Sequence, residues 1–166
     1  MSPNDLPRRP HDKGDAWVFG PGGERYWGTY GAAGLLVWHR TLGVLLQHRV
    51  EWSHFGGTWG LPGGARKENE TAVEAALREA NEEAGVPADV LRVISTSVFD
   101  REVWTYTTVV VEALEEFTPV IGDAESEALA WVPVGDVDAL PLHPGFAASW
   151  PVLRARLLDG ARPDAP

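Results

Sequence analysis

The stretch GARKENETAVEAALREANEEAGV, residues 64–86, decides the fold and carries the densest chemistry of the chain. Glu79, Glu82 and Glu83 stand at the helical spacing i, i+3 and i+4, so their carboxylates share one helix face. Like charges at this spacing repel one another unless a cation binds them. Oxygen ligands on one surface suit a hard divalent cation such as Mg²⁺ or Mn²⁺. The stretch therefore predicts a helix with a metal-binding edge.

The ends of this helix are marked by residues with known capping behaviour. Thr71 and Glu74 have the spacing of a capping box, which predicts a helix that begins with Thr71 as its N-cap. Gly85 can adopt the left-handed conformation that ends a helix, and Pro87 discourages continuation. The helix is thus predicted to run from Thr71 to Gly85.

The faces of the predicted helix differ in polarity. An apolar stripe lies in an arc next to the carboxylates, so the helix can pack on a sheet while its acidic edge faces a cleft. Ala72 and Ala75 fall within the acidic arc. They either leave room for a bulky anion beside the cation or serve only as good helix formers. The stripe consists of Val73, Ala76, Leu77, Ala80 and Ala84.

The same residues resemble the signature of a known family. Gly64, Glu70 and the run from Arg78 to Val86 stand at the spacing of the Nudix hydrolases, which cleave nucleoside diphosphates linked to another moiety. Ala80 departs from the pattern, because the family has a larger aliphatic residue there. The resemblance is specific in the box from Gly64 to Val86 and extends more loosely from about Tyr30 to Trp131. It implies a Nudix-type α/β/α sandwich with a mixed β-sheet.

The resemblance also implies roles for the residues of the box. Arg78 would orient one of the carboxylates, and Glu70 would support the loop. Glu79 is our first choice of general base. The backbone carbonyl of Gly63 would add a ligand to the metal ions, Mg²⁺ or Mn²⁺, held by Glu79, Glu82 and Glu83.

Residues outside the box complete the predicted site. In the family a further carboxylate comes from a loop before a late strand, and here both Glu125 and Glu127 precede Trp131. We favour Glu125 as an additional ligand near the substrate. Arg49 follows an apolar strand and could meet a phosphate, although exposure at a strand end also explains it. Trp59 lies in an aromatic loop, residues 52–59, where a purine could stack or where the side chains fold back on the core.

The remaining sequence alternates between strand and turn patterns. GAAGLLVWHR and VLLQHR predict a β-hairpin, and LRVISTSVFD pairs with EVWTYTTVVVEAL in a second one. PGFAASWPVLRARLLDG predicts a terminal helix with Phe146, Trp150, Leu153 and Leu157 on its apolar face. This order predicts an α/β fold in a single domain over residues 15–160. Residues 1–14 and 161–166 are predicted to be flexible tails.

Composition limits the classes of function. Lys and Arg number 14 against 24 Asp and Glu, which gives a net charge of −10 and argues against binding a nucleic-acid polymer. The absence of cysteine excludes disulfides, thiolate nucleophiles and cysteine-bound zinc. No signal-peptide or membrane-spanning pattern is present, so a cytoplasmic location without a membrane partner is expected. The oligomeric state is left open, with a homodimer as one alternative.

The expected function is the metal-dependent cleavage of a pyrophosphate bond in a nucleotide. The compact domain resembles the MutT-like group, which favours a (deoxy)nucleoside triphosphate, including oxidised forms, as the substrate. The first alternative is a pyrophosphatase of ADP-ribose or another nucleotide sugar. The alternative of another class is a nucleotide-sensing Nudix module without activity, although such modules are expected to lose the glutamates of the box.

Overall fold

The computed structural model describes residues 12–160. Two short helical turns, Ala88–Val90 and Val134–Ala139, join the main elements. Those elements are the strands β1 (Trp17–Phe19), β2 (Arg25–Trp27), β3 (Ala32–His39), β4 (Gly43–Arg49), β5 (Trp59–Gly60), β6 (Gly63–Ala65), β7 (Leu91–Asp100), β8 (Thr105–Ala113) and β9 (Ser126–Val132), and the helices α1 (Ala72–Ala84) and α2 (Pro144–Gly160).

The main sheet is mixed, with β3 near its centre. β3 runs parallel to β8, and β8 pairs antiparallel with β7. The first residues of β3 pair antiparallel with β6, whereas its last residues form a hairpin with β4. β4 then pairs with β5 and along its length with β9. Both predicted hairpins are confirmed, and β1 with β2 forms a separate two-stranded sheet.

Two apolar cores lie on opposite faces of the main sheet, because successive strand residues point to opposite sides. Leu35 and Val37 of β3 pack with the buried alanines of α1. Leu36, between them, packs on the other side with α2. This arrangement confirms the predicted α/β/α sandwich. The predicted apolar face of α2 is buried as expected, through Phe146, Trp150, Leu153 and Leu157.

Most residues of the two predicted tails lie outside the described structure, namely 1–11 and 161–166. Asp12 to Gly14 are described and form a turn, in which the Gly14 N–H donates to the Asp12 carboxylate at 3.0 Å. The Thr29 N–H in turn donates to the Gly14 carbonyl at 2.9 Å. Across residues 12–160, no helix combines the length and the apolar character needed to cross a membrane.

Candidate active site

Local interactions set both ends of α1. The Glu74 N–H donates to the Thr71 hydroxyl at 3.1 Å, and the Thr71 N–H donates to the Glu74 carboxylate at 3.3 Å. Gly85 adopts φ 65° and donates to the Asn81 carbonyl at 3.0 Å. The predicted capping box and glycine end are therefore confirmed. They fix the axial position of every side chain on α1, including the carboxylates.

Arg78 lies at the centre of the acidic edge. Its Nε and Nη2 donate to the two carboxylate oxygens of Glu70 at 2.7 and 2.9 Å. Its Nη1 donates to Glu79 at 3.0 Å and to Glu82 at 3.3 Å. The hydrogen bonds that Arg78 donates to Glu70 are the main cause of the lowered pKa of Glu70, and the same bonds are the main cause of the raised pKa of Arg78. One guanidinium thus orients three carboxylates, and Nη2 also reaches the Ala65 carbonyl at 3.1 Å.

The glycines of the loop allow α1 to approach the sheet closely. The Gly63 N–H donates to Glu83 Oε2 at 2.9 Å, which holds this carboxylate against β6. A Cβ on residue 63 would overlap the Ala33 carbonyl of β3. A Cβ on residue 64 would lie 2.8 Å from the carboxylate carbon of Glu79. Position 63 therefore needs glycine because the overlap is with backbone, whereas a side chain at position 64 would force the Glu79 carboxylate to move.

The charge of this cluster fits a hard cation. Glu79 and Glu83 are each only 5% exposed, so their carboxylates have lost most of their water. Glu70, Glu79 and Glu82 contact the guanidinium of Arg78, and Glu83 contacts the Gly63 N–H, so four carboxylates share this edge. Buried carboxylates are costly unless cations or hydrogen-bond donors compensate them. Oxygen-only donors of this kind suit Mg²⁺ or Mn²⁺.

The carboxylates of the acidic edge are held by hydrogen bonds in this structure. Among residues 12–160, no three carboxylate or imidazole groups converge as a bound ion would require. Arg78 Nη1 lies within hydrogen-bonding distance of both Glu79 and Glu82. The Gly63 carbonyl stays a predicted ligand.

The structure excludes one of the two interpretations of Ala72 and Ala75, the one in which they leave room for an anion. Ala75 is fully buried in the core between α1 and the sheet, so it leaves no room for an anion beside the acidic edge. Ala72 also packs against this core. Glu79, one turn after Ala75, is buried as well, which shows that the arc they share faces the protein rather than open solvent.

The loop that carries Glu125 is docked on the C-terminal end of α1. The Gly122 N–H donates to the Glu83 carbonyl and the Val120 N–H to the Ala84 carbonyl, both at 2.9 Å. Glu125 itself is exposed, and its carbonyl accepts from the Val50 N–H at 2.9 Å. The loop that carries Glu125 therefore reaches the backbone of the box.

Glu127 has a different environment. Its carboxylate lies 3.3 Å from His48 Nδ1, on the neighbouring strand β4. The His48 ring in turn stacks on Trp59 with 4.6 Å between ring centroids. Glu127 therefore belongs to a surface contact between β4 and β9. Because His48 covers one face of the Trp59 ring, this face packs against the protein and is not available to stack on a purine.

Arg49 and the aromatic loop meet at one side of the site. Arg49 Nε donates to the His54 carbonyl at 2.9 Å. His54 packs against Phe55 at 4.2 Å between centroids, and Phe55 meets His143 at 4.8 Å. Burial is the main cause that lowers the pKa of His143 to about 4, with Arg49 and His54 adding to it. His143 is therefore a neutral imidazole at neutral pH.

Tyr106, on β8, lies outside the predicted set of site residues. Its hydroxyl lies over Gly34, where any Cβ would overlap it. Burial is the main cause that raises its pKa, the Glu83 carboxylate adds to the rise, and Arg49 opposes it. Tyr106 is thus close enough to both charges to feel their fields. The signal in the sequence is Gly34 itself, because glycine inside an apolar strand often marks a close approach.

The β1–β2 hairpin brings further aromatic rings toward this side. Trp17 and Trp27 meet edge to face at 5.1 Å on one face of the hairpin, and Trp17 also reaches His54 at 6.0 Å. On the other face Tyr26 stacks on Trp104 at 4.8 Å. Trp104 Nε1 donates to the Trp27 carbonyl at 3.1 Å. The hairpin therefore joins the aromatic loop to the turn between β7 and β8.

Comparison with known proteins agrees with this geometry. Residues 28–155 match the model of the NUDIX domain family. A Mycobacterium tuberculosis protein named "Putative 8-oxo-dGTP diphosphatase 3" is 52% identical over 151 residues, which cover 85% of this chain and 69% of that protein. A Bifidobacterium longum protein, named as a nucleoside triphosphate pyrophosphatase/Nudix hydrolase fusion, is 39% identical over 89% of this chain and 32% of its own length.

A solved structure of a Nudix hydrolase from M. smegmatis, RenU, superposes with a TM-score of 0.81 at 48% identity. The match covers 90% of this chain and 98% of that one. An overlap of this extent agrees with the sandwich predicted from the sequence. The chain belongs to the Nudix family and is one of its pyrophosphohydrolases.

Proposed function

We propose that this enzyme hydrolyses a pyrophosphate bond of a (deoxy)nucleoside triphosphate, including oxidised guanine nucleotides, with Mg²⁺ or Mn²⁺ as its cofactor. The observation that carries the proposal is the acidic edge of α1, where Arg78 contacts Glu70, Glu79 and Glu82 and the Gly63 N–H holds Glu83. The choice of substrate is supported by the relative at 52% identity, whose name refers to 8-oxo-dGTP.

Each residue of the edge would have a distinct task. Glu79, Glu82 and Glu83 would hold the cation, with the Gly63 carbonyl and Glu125 as further donors. A divalent ion would neutralise phosphate oxygens and lower the pKa of water at the reacting phosphorus. Glu79 would accept the proton of the attacking water at a carboxylate oxygen. Arg78 keeps two of these carboxylates in place, which reduces the reorganisation needed during the reaction.

The experiment is a screen of nucleotides with purified enzyme and with Mg²⁺, Mn²⁺ or no added metal after chelation. The panel contains dGTP, 8-oxo-dGTP, dATP and ADP-ribose, and product analysis identifies the bond that is cleaved. We expect turnover only with added metal and higher kcat/KM for the triphosphates than for ADP-ribose. Higher kcat/KM for ADP-ribose would replace the proposed substrate with the nucleotide-sugar alternative.

A second measurement separates metal binding from catalysis. Mg²⁺ or Mn²⁺ should raise the melting temperature of the apoenzyme, because a ligand that binds only the folded state stabilises it. Stabilisation by metal and nucleotide without any turnover would indicate the sensing module. If neither metal stabilised the fold nor enabled turnover, the metal assignment to the acidic edge would be wrong.

A further inference from the structure

The loop before β9 contains a buried carboxylate that is not part of the acidic edge. Asp123 is only 6% exposed, whereas Gly122 and Glu125 in the same loop are exposed. Asp123 Oδ1 accepts a hydrogen bond from the Glu125 N–H at 3.0 Å, and the Ser126 hydroxyl donates to the same oxygen at 3.4 Å. A buried carboxylate is costly unless donors compensate it. Both donors belong to the turn that follows Asp123, so the side chain and the turn stabilise each other.

Strand β4 completes this network from the other side. Ser126 is fully buried, and its hydroxyl accepts from Gln47 Nε2 on β4. Gln47 is 3% exposed and stands two residues after Leu45, so its side chain points to the α1 face of the sheet. Buried polar groups that satisfy one another form a rigid unit. The contacts from Gln47 through Ser126 to Asp123 therefore tie the loop to the sheet.

The backbone of Glu125 is bonded on both sides of its Cα atom. Its N–H donates to Asp123, and its carbonyl accepts from the Val50 N–H at 2.9 Å. The register of β4 with β9 shifts close by, between His48 and Arg49, and such irregularities re-aim side chains next to functional sites. The Glu125 side chain itself is exposed. The backbone of Glu125 is thus held in place while its side chain is accessible.

The same loop is anchored on α1 directly before Asp123. The Gly122 N–H donates to the Glu83 carbonyl at 2.9 Å, and a Cβ on residue 122 would overlap the Glu82 carbonyl. This close approach places the loop against the backbone of two glutamates of the box. Asp123 therefore stands between an anchor on α1 and an anchor on β4. Loss of its carboxylate would loosen the turn between them, which is the part that carries Glu125.

We propose that Asp123 is a positioning residue, whose buried carboxylate holds the turn that presents Glu125 to a divalent cation at the acidic edge. This proposal rests on the proposed function, in which Glu125 is a further donor to the ion. Asp123 acts through Glu125 and does not bind the ion itself, because its side chain is buried and Oδ1 already accepts from two donors. Partners that orient metal ligands contribute about 10–100-fold to metal affinity or activity.

The test measures Mn²⁺ binding, through the electron paramagnetic resonance signal of the free ion, in a double-mutant cycle of Asp123→Ala and Glu125→Gln. Each substitution should raise the dissociation constant for Mn²⁺ by about tenfold. The double variant should bind no more weakly than Glu125→Gln alone, since Asp123 acts only through Glu125. Asp123→Asn keeps an oxygen acceptor for the Glu125 N–H and should retain most of the affinity. The Mg²⁺ concentration at half-maximal kcat should follow the same order.

Asp100→Ala is the matched control. Asp100 Oδ1 accepts from the Glu102 N–H at 2.7 Å, the same bond to the residue two positions on, in the turn between β7 and β8. This variant should leave the dissociation constant for Mn²⁺ unchanged. If Asp123→Ala fails to fold in thermal denaturation, Ser126→Ala takes its place, because it removes one donor to Asp123. Its smaller loss of affinity should also vanish in the Glu125→Gln background.

Several outcomes would overturn the proposal. They are an unchanged Mn²⁺ affinity in Asp123→Ala or in Glu125→Gln, an equal loss from Asp123→Ala in both backgrounds, and an Asp123→Asn variant as weak as Asp123→Ala. A wild type that binds no Mn²⁺ would overturn this proposal and the proposed function together. An enzyme that binds Mn²⁺ but turns over no nucleotide would disprove the proposed function alone, because the binding cycle needs no turnover and still decides the role of Asp123.

Discussion

Arg78 binds Glu70 through two parallel hydrogen bonds, Nε to Oε2 at 2.7 Å and Nη2 to Oε1 at 2.9 Å. Paired hydrogen bonds of this kind are strong, and they also fix the orientation of the carboxylate relative to the guanidinium, because the guanidinium is planar. Glu70 also accepts from the Lys67 N–H at 2.9 Å, which links the pair to the loop before α1. The contact with Glu70 thereby fixes the direction from which Arg78 reaches Glu79 and Glu82.

Arg78→Lys removes the paired geometry and keeps the charge. We expect the free energy of unfolding to fall by about 1–3 kcal/mol, since the partly buried Glu70 carboxylate loses one of its two hydrogen bonds from residue 78. We expect kcat to fall by about 10–100-fold, as for other residues that orient metal ligands. Urea denaturation and steady-state kinetics measure the two effects.

Glu68→Gln, which breaks the exposed pair with Lys13, is the control and should change stability by less than about 1 kcal/mol. Equal effects of the two substitutions would contradict the assigned role.

Gly64→Ala places a Cβ 2.8 Å from the Glu79 carboxylate carbon. Because the loop and α1 are both fixed, the carboxylate must turn away, and we expect weaker metal affinity and a kcat lower by about 10–100-fold. Metal titration followed by melting temperature measures the affinity. Gly135→Ala is the matched control, since no atom lies within 4 Å of the position that the added Cβ would take and the φ of Gly135 is not left-handed. An unchanged metal titration in Gly64→Ala would show that Glu79 does not bind the ion.

Glu82→Gln and Glu83→Gln each remove one carboxylate charge from the acidic edge. The fold should persist, because an amide oxygen at position 83 can still accept from the Gly63 N–H. Activity should fall by about a hundredfold or more, since a metal contributes several kcal/mol of charge stabilisation. The assay is kcat at several Mg²⁺ concentrations, with the melting temperature as a check on folding. Glu116→Gln, an exposed glutamate after β8, is the control. Full activity in either box variant would disprove its assignment as a ligand.

Glu125→Gln should weaken the dependence of kcat on metal concentration or slow turnover, because its loop is docked on the Glu83 carbonyl. Glu127→Gln should behave as wild type in the same assay, since its carboxylate pairs with His48 at 3.3 Å. The two variants are matched in charge and sequence neighbourhood. The reverse result would make Glu127 the additional ligand, and two unchanged variants would leave the ion with ligands from the box alone.

His143→Gln tests a pH dependence of stability. The pKa of His143 is about 4 in the folded protein, against about 6.5 for an unperturbed histidine. Between these values the unfolded chain binds a proton that the folded chain does not, so wild type loses stability as the pH falls from 6.5 to 4. The variant lacks this loss. Unfolding free energies at about pH 7 and about pH 4.5 should show a smaller decrease for His143→Gln, and equal decreases would contradict burial as the cause.

Much of the acidic edge follows from residues close together in the chain. The capping box of Thr71 with Glu74 and the left-handed Gly85 act over three or four residues, so the sequence predicts them correctly. The spacing of Arg78 and the glutamates then follows from the geometry of one helix. Successive residues of β3 point to opposite faces of the sheet, so Leu35 and Leu36 lie in different cores.

The sequence left two interpretations of Ala75 open because a helix wheel gives relative directions only. Which arc of α1 meets the sheet depends on the loop that precedes the helix and on the close approach that Gly63 and Gly64 permit. Those contacts turn Ala75 into the core and bury Glu79 behind it. A pattern of residues on one helix contains no information about the strand it will pack against.

The sequence by itself determined the Nudix box, its helix and the order of strands, because local hydrogen bonds and periodicity act along the chain. Only the tertiary structure decided which distant residues stand beside the box. Tyr106 reaches Gly34 through the parallel pairing of β3 with β8, and the loop that carries Glu125 docks on the Glu83 carbonyl through the Gly122 N–H. Such neighbours are set by strand order and register, which depend on the packing of the whole sheet between α1 and α2.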